Sequence, residues 1–337
     1  MFEERGENPR AITSINVAYH AHVSQATVSR VLNEKGNVRK VTAEKVLAAM
    51  KELGYQPNAI ARSLTNRKTD IVALVSVNST HSFYVSIINN ISQRLSWAGK
   101  RILYFQVKVD EDLEEIFKQV HQYQVDGMII ISAAVSPRVT EAAERINLPI
   151  AIFNRQIHSN NIYSVCSDNI KASRMVADYL ADKGYKSFGF IGSTVMENIS
   201  ADRQRGFTDR LGERGFPKPM VEYGLFTYHS GWEAMRRMTD RQKLPEVIFS
   251  SNDLMAMGAM DFLRYDLKLS LPDDIGIIGF DAIEEGAWRG YNLSSVEQPL
   301  AGMIERICDY LLKRMNDAPV KEKNHLFPCK ILERGTT

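Results

Sequence analysis

The chain has 337 residues, 44% of them hydrophobic and 24% charged, with a formal net charge of +2. That length is too great for one compact core and suits two or three domains of a soluble globular protein. No apolar run approaches the ~18 residues a membrane helix requires, and the acidic start lacks a signal-peptide core, so a cytoplasmic protein with no membrane partner is expected. Cys166, Cys308 and Cys329 are scattered with no CxxC and read as free thiols of a reducing compartment. The seven His have no paired ligand spacing, so neither a metal nor a cofactor is expected.

Residues 1–10 carry no pattern. The run ITSINVAYHAHVSQATVSRVLN at 12–33 predicts two short helices and a joint near residues 21–23. The first would bury Ile15, Val17, Ala18 and Ala21. Ser24 can cap the second through its hydroxyl, and Val28, Val31 and Leu32 would face inward. Gln25, Ala26, Thr27, Ser29, Arg30 and Asn33 are then left outside. Such side chains reach base edges and phosphates when a recognition helix enters the major groove. A small helical hairpin with a solvated face fits the same pattern. A third helix is predicted from about Thr42, with Val46, Leu47, Met50 and Leu53 as its inner stripe and Gly54 as its end. Residues 1–69 hold eleven Lys or Arg against six Asp or Glu, a balance of +5; the remainder holds 31 against 34, a balance of −3. A basic head on a mildly acidic body suits a chain whose head alone meets phosphates.

The order VSxATVSRVLN, then xxVLAAxxELGYxPNAxARSL, then the apolar strand IVALVSV resembles the lactose-repressor (LacI/GalR) family of bacterial regulators. The likeness runs from about residue 12 to the C-terminus. It implies a helix-turn-helix DNA-binding domain at 11–57, a hinge helix and linker at 58–69, and an effector-binding and dimerisation domain at 70–337. The fold implied is an all-α head and hinge helix followed by two α/β lobes of parallel sheet, periplasmic-binding-protein-like. The first lobe would take 70–184 and 298–323, the second 185–297 and 324–337, with three crossings between them.

The residues themselves support the α/β part. Apolar runs at 71–77, 101–107, 127–132, 149–154, 188–192, 225–228, 246–252 and 275–281 predict strands, and amphipathic helices lie between them, notably at 83–98 and 111–123. That alternation predicts parallel βαβ units. There is no P-loop, GxGxxG, GxSxG or HExxH, and Asp281 beside Glu284 and Glu285 reads better as a binding or solvated loop than as an acid–base pair. No catalytic residue is assigned and the chain is not expected to be an enzyme. A sugar-processing enzyme would need a catalytic constellation, and a periplasmic-type binding protein an export signal and no DNA head.

Ligands of open α/β sheets gather at the carboxyl ends of strands, where Asn154, Arg155, Asn252, Asp253 and Asp281 stand. The resemblance implies effector contacts from Arg203 (in RQRGF), Phe226, Asn252, Asp281, the aromatic pair Phe83 and Tyr84, and Asp168; Arg155 joins them. Carboxylate, amide and guanidinium pair with hydroxyls while aromatic faces cover a sugar ring. Asn252 and Asp253 are equally suited to capping the next helix, and filling the core is the lesser alternative for Phe226. If Arg155 and Arg203 both face the cleft, a sugar acid or phosphosugar stands beside a neutral sugar as effector.

The partners implied are a palindromic double-stranded operator and a small-molecule effector, with the protein a homodimer or a larger assembly. Gln25, Ala26 and Arg30 would read the major groove; Thr27, Ser29 and Asn33 would hold phosphates. A hinge segment containing Asn58, Ala61, Arg62 and Leu64 would fold on DNA, with Leu64 opening a base step from the minor groove. Five positions depart from the family pattern: His22 stands where Gly is usual in the joint, Asn16 where an acid is common, His81-Ser82 where Asn-Pro is frequent, and Ala282 where a second Asp follows GFD.

Overall fold

The computed structural model describes residues 12–32, 38–56, 68–77, 81–107, 113–131, 141, 145, 148–157, 162–194, 197–241, 243–320 and 324–337. The chain divides into two compact units, Met1–Thr69 and Asp70–Thr337.

In the first unit, α1 (Ser14–His20), α2 (Gln25–Leu32) and α3 (Lys40–Glu52) enclose a core of Val17, Ala18, Ala21, Val28, Val46 and Ala49. Asn16 Oδ1 accepts from both the Thr13 backbone N–H (2.9 Å) and its hydroxyl (2.7 Å), so the amide closes the first turn of α1. At the other end His22 takes φ = 51°. This lets Val23 N–H donate to the Ala18 carbonyl (3.0 Å) and His22 N–H to that of Tyr19 (3.2 Å). The same pair of reversed bonds ends α3 at Gly54, φ = 61°, from Tyr55 to Met50 and from Gly54 to Lys51. Ser24 Oγ accepts from the Thr27 N–H at 3.2 Å, as its position before α2 predicts.

Three expectations for the head need correction. Ile15 is 63% exposed and Leu47 54% exposed. In α3 the inward positions are Val46, Ala49, Met50 and Leu53, at the i, i+3, i+4, i+7 spacing of one helical face; Leu47 lies a hundred degrees off it. That helix also begins earlier than Thr42. Arg39 is its cap residue, and the Arg39 carbonyl accepts from the Thr42 and Ala43 N–H groups.

The second unit holds two six-stranded sheets. Its elements in chain order are β1 (Ile71–Val77), α4 (Ser82–Trp97), β2 (Arg101–Val107), α5 (Leu113–Gln122), β3 (Gly127–Ile131), β4 (Ile150–Phe153), β5 (Ile162–Ser167) and α6 (Asn169–Asp182). There follow β6 (Phe188–Ser193), α7 (Glu197–Glu213), β7 (Met220–Gly224), α8 (Tyr228–Thr239), β8 (Val247–Ser250), α9 (Asp253–Asp261) and β9 (Gly276–Asp281). The last are β10 (Ser294–Glu297), α10 (Leu300–Met315), β11 (Asn324–Phe327) and β12 (Lys330–Leu332). The first sheet runs β11-β5-β4-β3-β1-β2, wholly parallel. The second runs β12-β10-β9-β8-β6-β7, parallel except for β12.

Both faces of each sheet are covered, which is why the strands read as unbroken apolar runs. In β1, Val72 and Leu74 pack with Ile87, Ile91 and Leu95 of α4, while Ala73 and Val75 pack with Ile116, Phe117 and Val120 of α5. In the second sheet Phe190, Phe249 and Phe280 meet α6 and α7 on one side, and Ile191, Ile248 and Ile277 meet α8 and α9 on the other.

The described elements pass between the sheets three times, but not at the expected residues. Helix α6, expected in the first lobe, packs its Ala172, Val176, Ala177 and Leu180 with Phe188 and Phe207 of the second. The crossing therefore falls just after β5, not near residue 184. Residues 324–327, expected in the second lobe, form β11 beside β5 in the first, and only β12 pairs with β10. The apolar face of a helix states that it is buried, not which sheet it covers. The strand predicted at 225–228 is also displaced: β7 lies just before it, and Thr227 caps α8. Strands β5, β10, β11 and β12 escaped the sequence pattern because Ser, Asn, His, Glu or Lys interrupt their apolar residues.

Candidate functional site

On the head, α2 presents Gln25, Ala26, Ser29 and Arg30 to solvent. Thr27 is half-buried, its hydroxyl 2.9 Å from that of Ser24. Gln25 Nε2 donates to Ser14 Oγ at 3.1 Å, which orients its side chain along the start of α1. Asn33, Asn58, Ala61, Arg62 and Leu64 lie outside the described residues.

In the two-lobed unit, polar residues converge at the carboxyl ends of the strands. Arg203, from α7, is 2% exposed. Its Nε donates to Asn169 Oδ1 (2.9 Å), a terminal nitrogen donates to the Ser251 carbonyl, and the other lies 3.8 Å from Asp281 Oδ1. The guanidinium also stacks on Phe280, its central carbon 3.4 Å from the ring centroid. Asp281 Oδ1 accepts from Gln298 Nε2 at 2.7 Å, and Gln298 Oε1 accepts from Ser167 Oγ at 2.7 Å. The chain Arg203–Asp281–Gln298–Ser167 thus runs from the second lobe to the first. Burial pushes Asp281 up to about 6, against Arg203 and Gln298, which pull it down.

A second constellation bridges the lobes at Asn252. Its Oδ1 caps α9 by accepting from Met255 N–H (3.0 Å), and its Nδ2 donates to the Phe226 carbonyl (3.1 Å) and to Nε2 of His81 (2.8 Å). His81 packs edge-on against Phe83 and Tyr84. Beside it Ser82 Oγ donates to Glu285 Oε2 at 3.0 Å. A third region is a cavity of about 390 Å³ lined by Arg155, Asp168, Asn169, Ile199, Asp202 and Leu326, among others.

Four of the ten described non-glycine residues with positive φ lie in this region. Asn154, Phe226, Asp281 and Ala282 all take positive φ (60°, 60°, 113° and 52°). A non-glycine residue holds such an angle where the surroundings enforce it, as turns and binding sites do. Asn154 Oδ1 from the first lobe and Ser251 Oγ from the second are buried without a hydrogen-bond partner among the described residues.

The model for bacterial regulatory proteins of the lacI family matches residues 15–58, and that for a periplasmic binding protein-like domain matches residues 177–337. Catabolite control protein A of Priestia megaterium is 31% identical over 97% of this chain and 99% of its own length. This chain belongs to the LacI family. The ribose operon repressor of Halalkalibacterium halodurans is 30% identical, with 96% of each chain covered. The lac repressor dimer bound to operator and the anti-inducer ONPF superposes with a TM-score of 0.87, at 25% identity over 97% of this chain and 99% of that one. The CelR regulator in complex with cellobiose superposes with a TM-score of 0.73, at 26% identity over 97% and 100%. The protein is therefore a DNA-binding transcriptional regulator of this family and not an enzyme, and no helix among its described residues is long and apolar enough to cross a membrane.

Within this LacI-family regulator the eight residues nominated for the effector fall into two groups. Arg155 and Asp168 line the open cavity, where Asp168 also caps α6 through the Lys171 N–H (3.1 Å). Phe83, Tyr84, Phe226, Asn252, Arg203 and Asp281 lie around the two bonded constellations instead. Arg203 is turned inward to protein acceptors, so the condition under which two arginines face a charged ligand is not met. Sequence reasoning passed over Asn169, Ser167, Gln298 and Phe280, which hold Arg203 and Asp281 in place. Asn154 is the inward residue of the Asn154-Arg155 pair, and its positive φ has no signature beyond the tolerance of Asn for it.

Proposed function

We propose that this regulator is a repressor that binds a palindromic operator as a dimer, with its affinity set by a small sugar or sugar-derived effector held between the two lobes. The observation that carries the reading is the convergence of Arg203, Asn252 and Asp281 with the strained Asn154 and Phe226 at the strand ends of facing lobes. Buried polar atoms beside aromatic faces are the chemistry of a sugar site. The solved lac repressor on its operator and CelR with cellobiose, similar along almost the whole chain, favour the same reading. Because Arg203 is already matched by Asp281 and two further acceptors, a neutral sugar is favoured over a sugar acid or phosphosugar. Gln25, Ala26 and Arg30 would meet base edges, and Thr27, Ser29 and Asn33 phosphates. Pairing of two chains finds support in the second lobe, where Tyr265 (67% exposed) and Trp288 (55%) stand near Tyr228 and Tyr291, whose hydroxyls share Asp261.

Selection of genomic DNA fragments by the purified protein at physiological salt tests the operator half of the reading. One inverted repeat is expected; recovery of random fragments, with and without added cell metabolites, would remove it. Calorimetric titration with neutral sugars and their acid or phosphate forms tests the other half, and tighter binding of the charged forms would reverse the preference.

A further inference from the structure

His81 is one of the departures from the family pattern that the proposed function leaves unused. It stands at the amino end of α4 in the first lobe, is 8% exposed, and reaches across to Asn252 of the second. Both hydrogens of that amide are then committed, and its oxygen accepts one bond. Oδ1 serves the Met255 N–H, one Nδ2 hydrogen serves the Phe226 carbonyl, and the other serves His81 Nε2. The acceptance also fixes the imidazole as the tautomer that carries its hydrogen on Nδ1.

We propose that His81 is a built-in stand-in for an effector oxygen: it accepts the Asn252 hydrogen that a bound hydroxyl would accept, and so holds the lobes together until a ligand displaces it. The inference rests on the effector-cleft reading, since it takes Asn252 as a ligand contact. Ser82, bonded to Glu285 across the same gap, adds a second fastening beside the first. Burial agrees with the role, because a neutral imidazole accepts at Nε2 whereas a protonated one would oppose the Asn252 donor with another donor. A ligand entering here exchanges one hydrogen bond for another, so it gains only the difference between its own oxygen and the imidazole. His81 would thereby select for effectors that offer a good acceptor at this point.

The test needs no knowledge of the effector, because imidazole itself serves as the probe. In the full-length protein, His81→Ala should speed hydrogen exchange severalfold in peptides spanning residues 82–90 and 252–258. It should also lower the melting temperature by about 2–4 °C, the size expected for one buried hydrogen bond in a domain of this length. Millimolar imidazole should restore both in His81→Ala, and should do nothing to the wild type or to the His81→Ala, Asn252→Ala double variant. At pH 7.5, where His81 is neutral in both folded and unfolded chain, His81→Gln, which keeps an acceptor at a similar reach, should behave as wild type; His81→Leu, which fills the space without one, should behave as His81→Ala. That second pair carries the test if the alanine variant does not fold. Unchanged exchange in both His81→Ala and His81→Leu, or equal protection of wild type by imidazole, would overturn the proposal. Loss of the effector-cleft reading would look different: the fastening would still open and be rescued, but no sugar would compete with imidazole for the His81→Ala protein.

Discussion

His22 and His81 are both departures from the family pattern, and each has a physical consequence at its own position. At His22 the joint of the head needs a left-handed backbone, φ = 51°, which costs a residue with a Cβ about 1 kcal/mol that glycine avoids. His22→Gly should therefore stabilise the head by about that amount, seen as a higher urea midpoint in the NMR signals of α1–α3; no gain would mean that the His22 side chain repays the strain. At His81 burial pushes the imidazole down to about 4, with Glu285 pulling it up. Between about 4 and 6.5 the unfolded chain binds a proton there that the folded chain does not, so stability rises with pH across this window and is complete above it. Asp281 has the opposite slope. Its carboxyl is raised from 3.8 to about 6, so the folded chain holds the extra proton and stability falls as pH rises through that range. In the wild type the two slopes oppose; His81→Gln removes that of His81 and leaves that of Asp281. The variant should thus gain melting temperature relative to wild type between pH 6.5 and 4.5. A constant difference would show that His81 is not held neutral by burial.

Helix crossings in the second lobe are set by glycine where backbones touch. A Cβ on Gly258 of α9 would stand 2.0 Å from the Tyr228 carbonyl oxygen and 2.8 Å from the Trp232 nitrogen, and one on Gly231 of α8 would stand 2.2 Å from the Met255 carbonyl oxygen. Both obstacles are main chain, which cannot swing aside as a side chain does. Gly258→Ala should cost about 1–3 kcal/mol in urea unfolding by forcing α8 and α9 apart. Gly212, inside α7, has nothing within 4 Å of its Cβ position, so Gly212→Ala should gain up to about 1 kcal/mol from helix propensity. Equal effects at the two sites would contradict the packing account. Close approach of α8 and α9 also matters to the site, because Thr227 and Asn252, the caps of these two helices, bracket Phe226 and the His81 contact.

In the proposed function the regulator's two tasks fall on separate units, and variants should separate them. Arg203→Ala removes the counter-charge of Asp281 and the anchor of Asn169, and a broken buried pair costs about 3–5 kcal/mol. It should abolish the effector response and lower the melting temperature of the lobed unit while the head still binds operator. A full response would show that the effector does not lie between these lobes. Leu64→Ala should reduce operator bending and affinity without changing effector binding, and unchanged bending would remove the minor-groove wedge.

The apolar runs and their alternation with amphipathic helices were enough to predict two parallel-sheet lobes, because strands buried on both faces must be apolar throughout. The residues of α2 likewise announced an exposed polar face, and Ser24 its cap, since both depend on neighbours within one turn. Asn252 at a strand end could be nominated for the same reason. Other features depended on partners far along the chain. The side of the molecule on which α6 packs, the return of residues 324–327 to the first sheet, the inward turn of Arg203 onto Phe280 and Asp281, and the reach of His81 to Asn252, 171 residues away, all follow from which surfaces meet. Local pattern encodes that a surface is buried or polar; only the closed chain determines what it is buried against, and therefore which polar atoms are already satisfied before a ligand arrives.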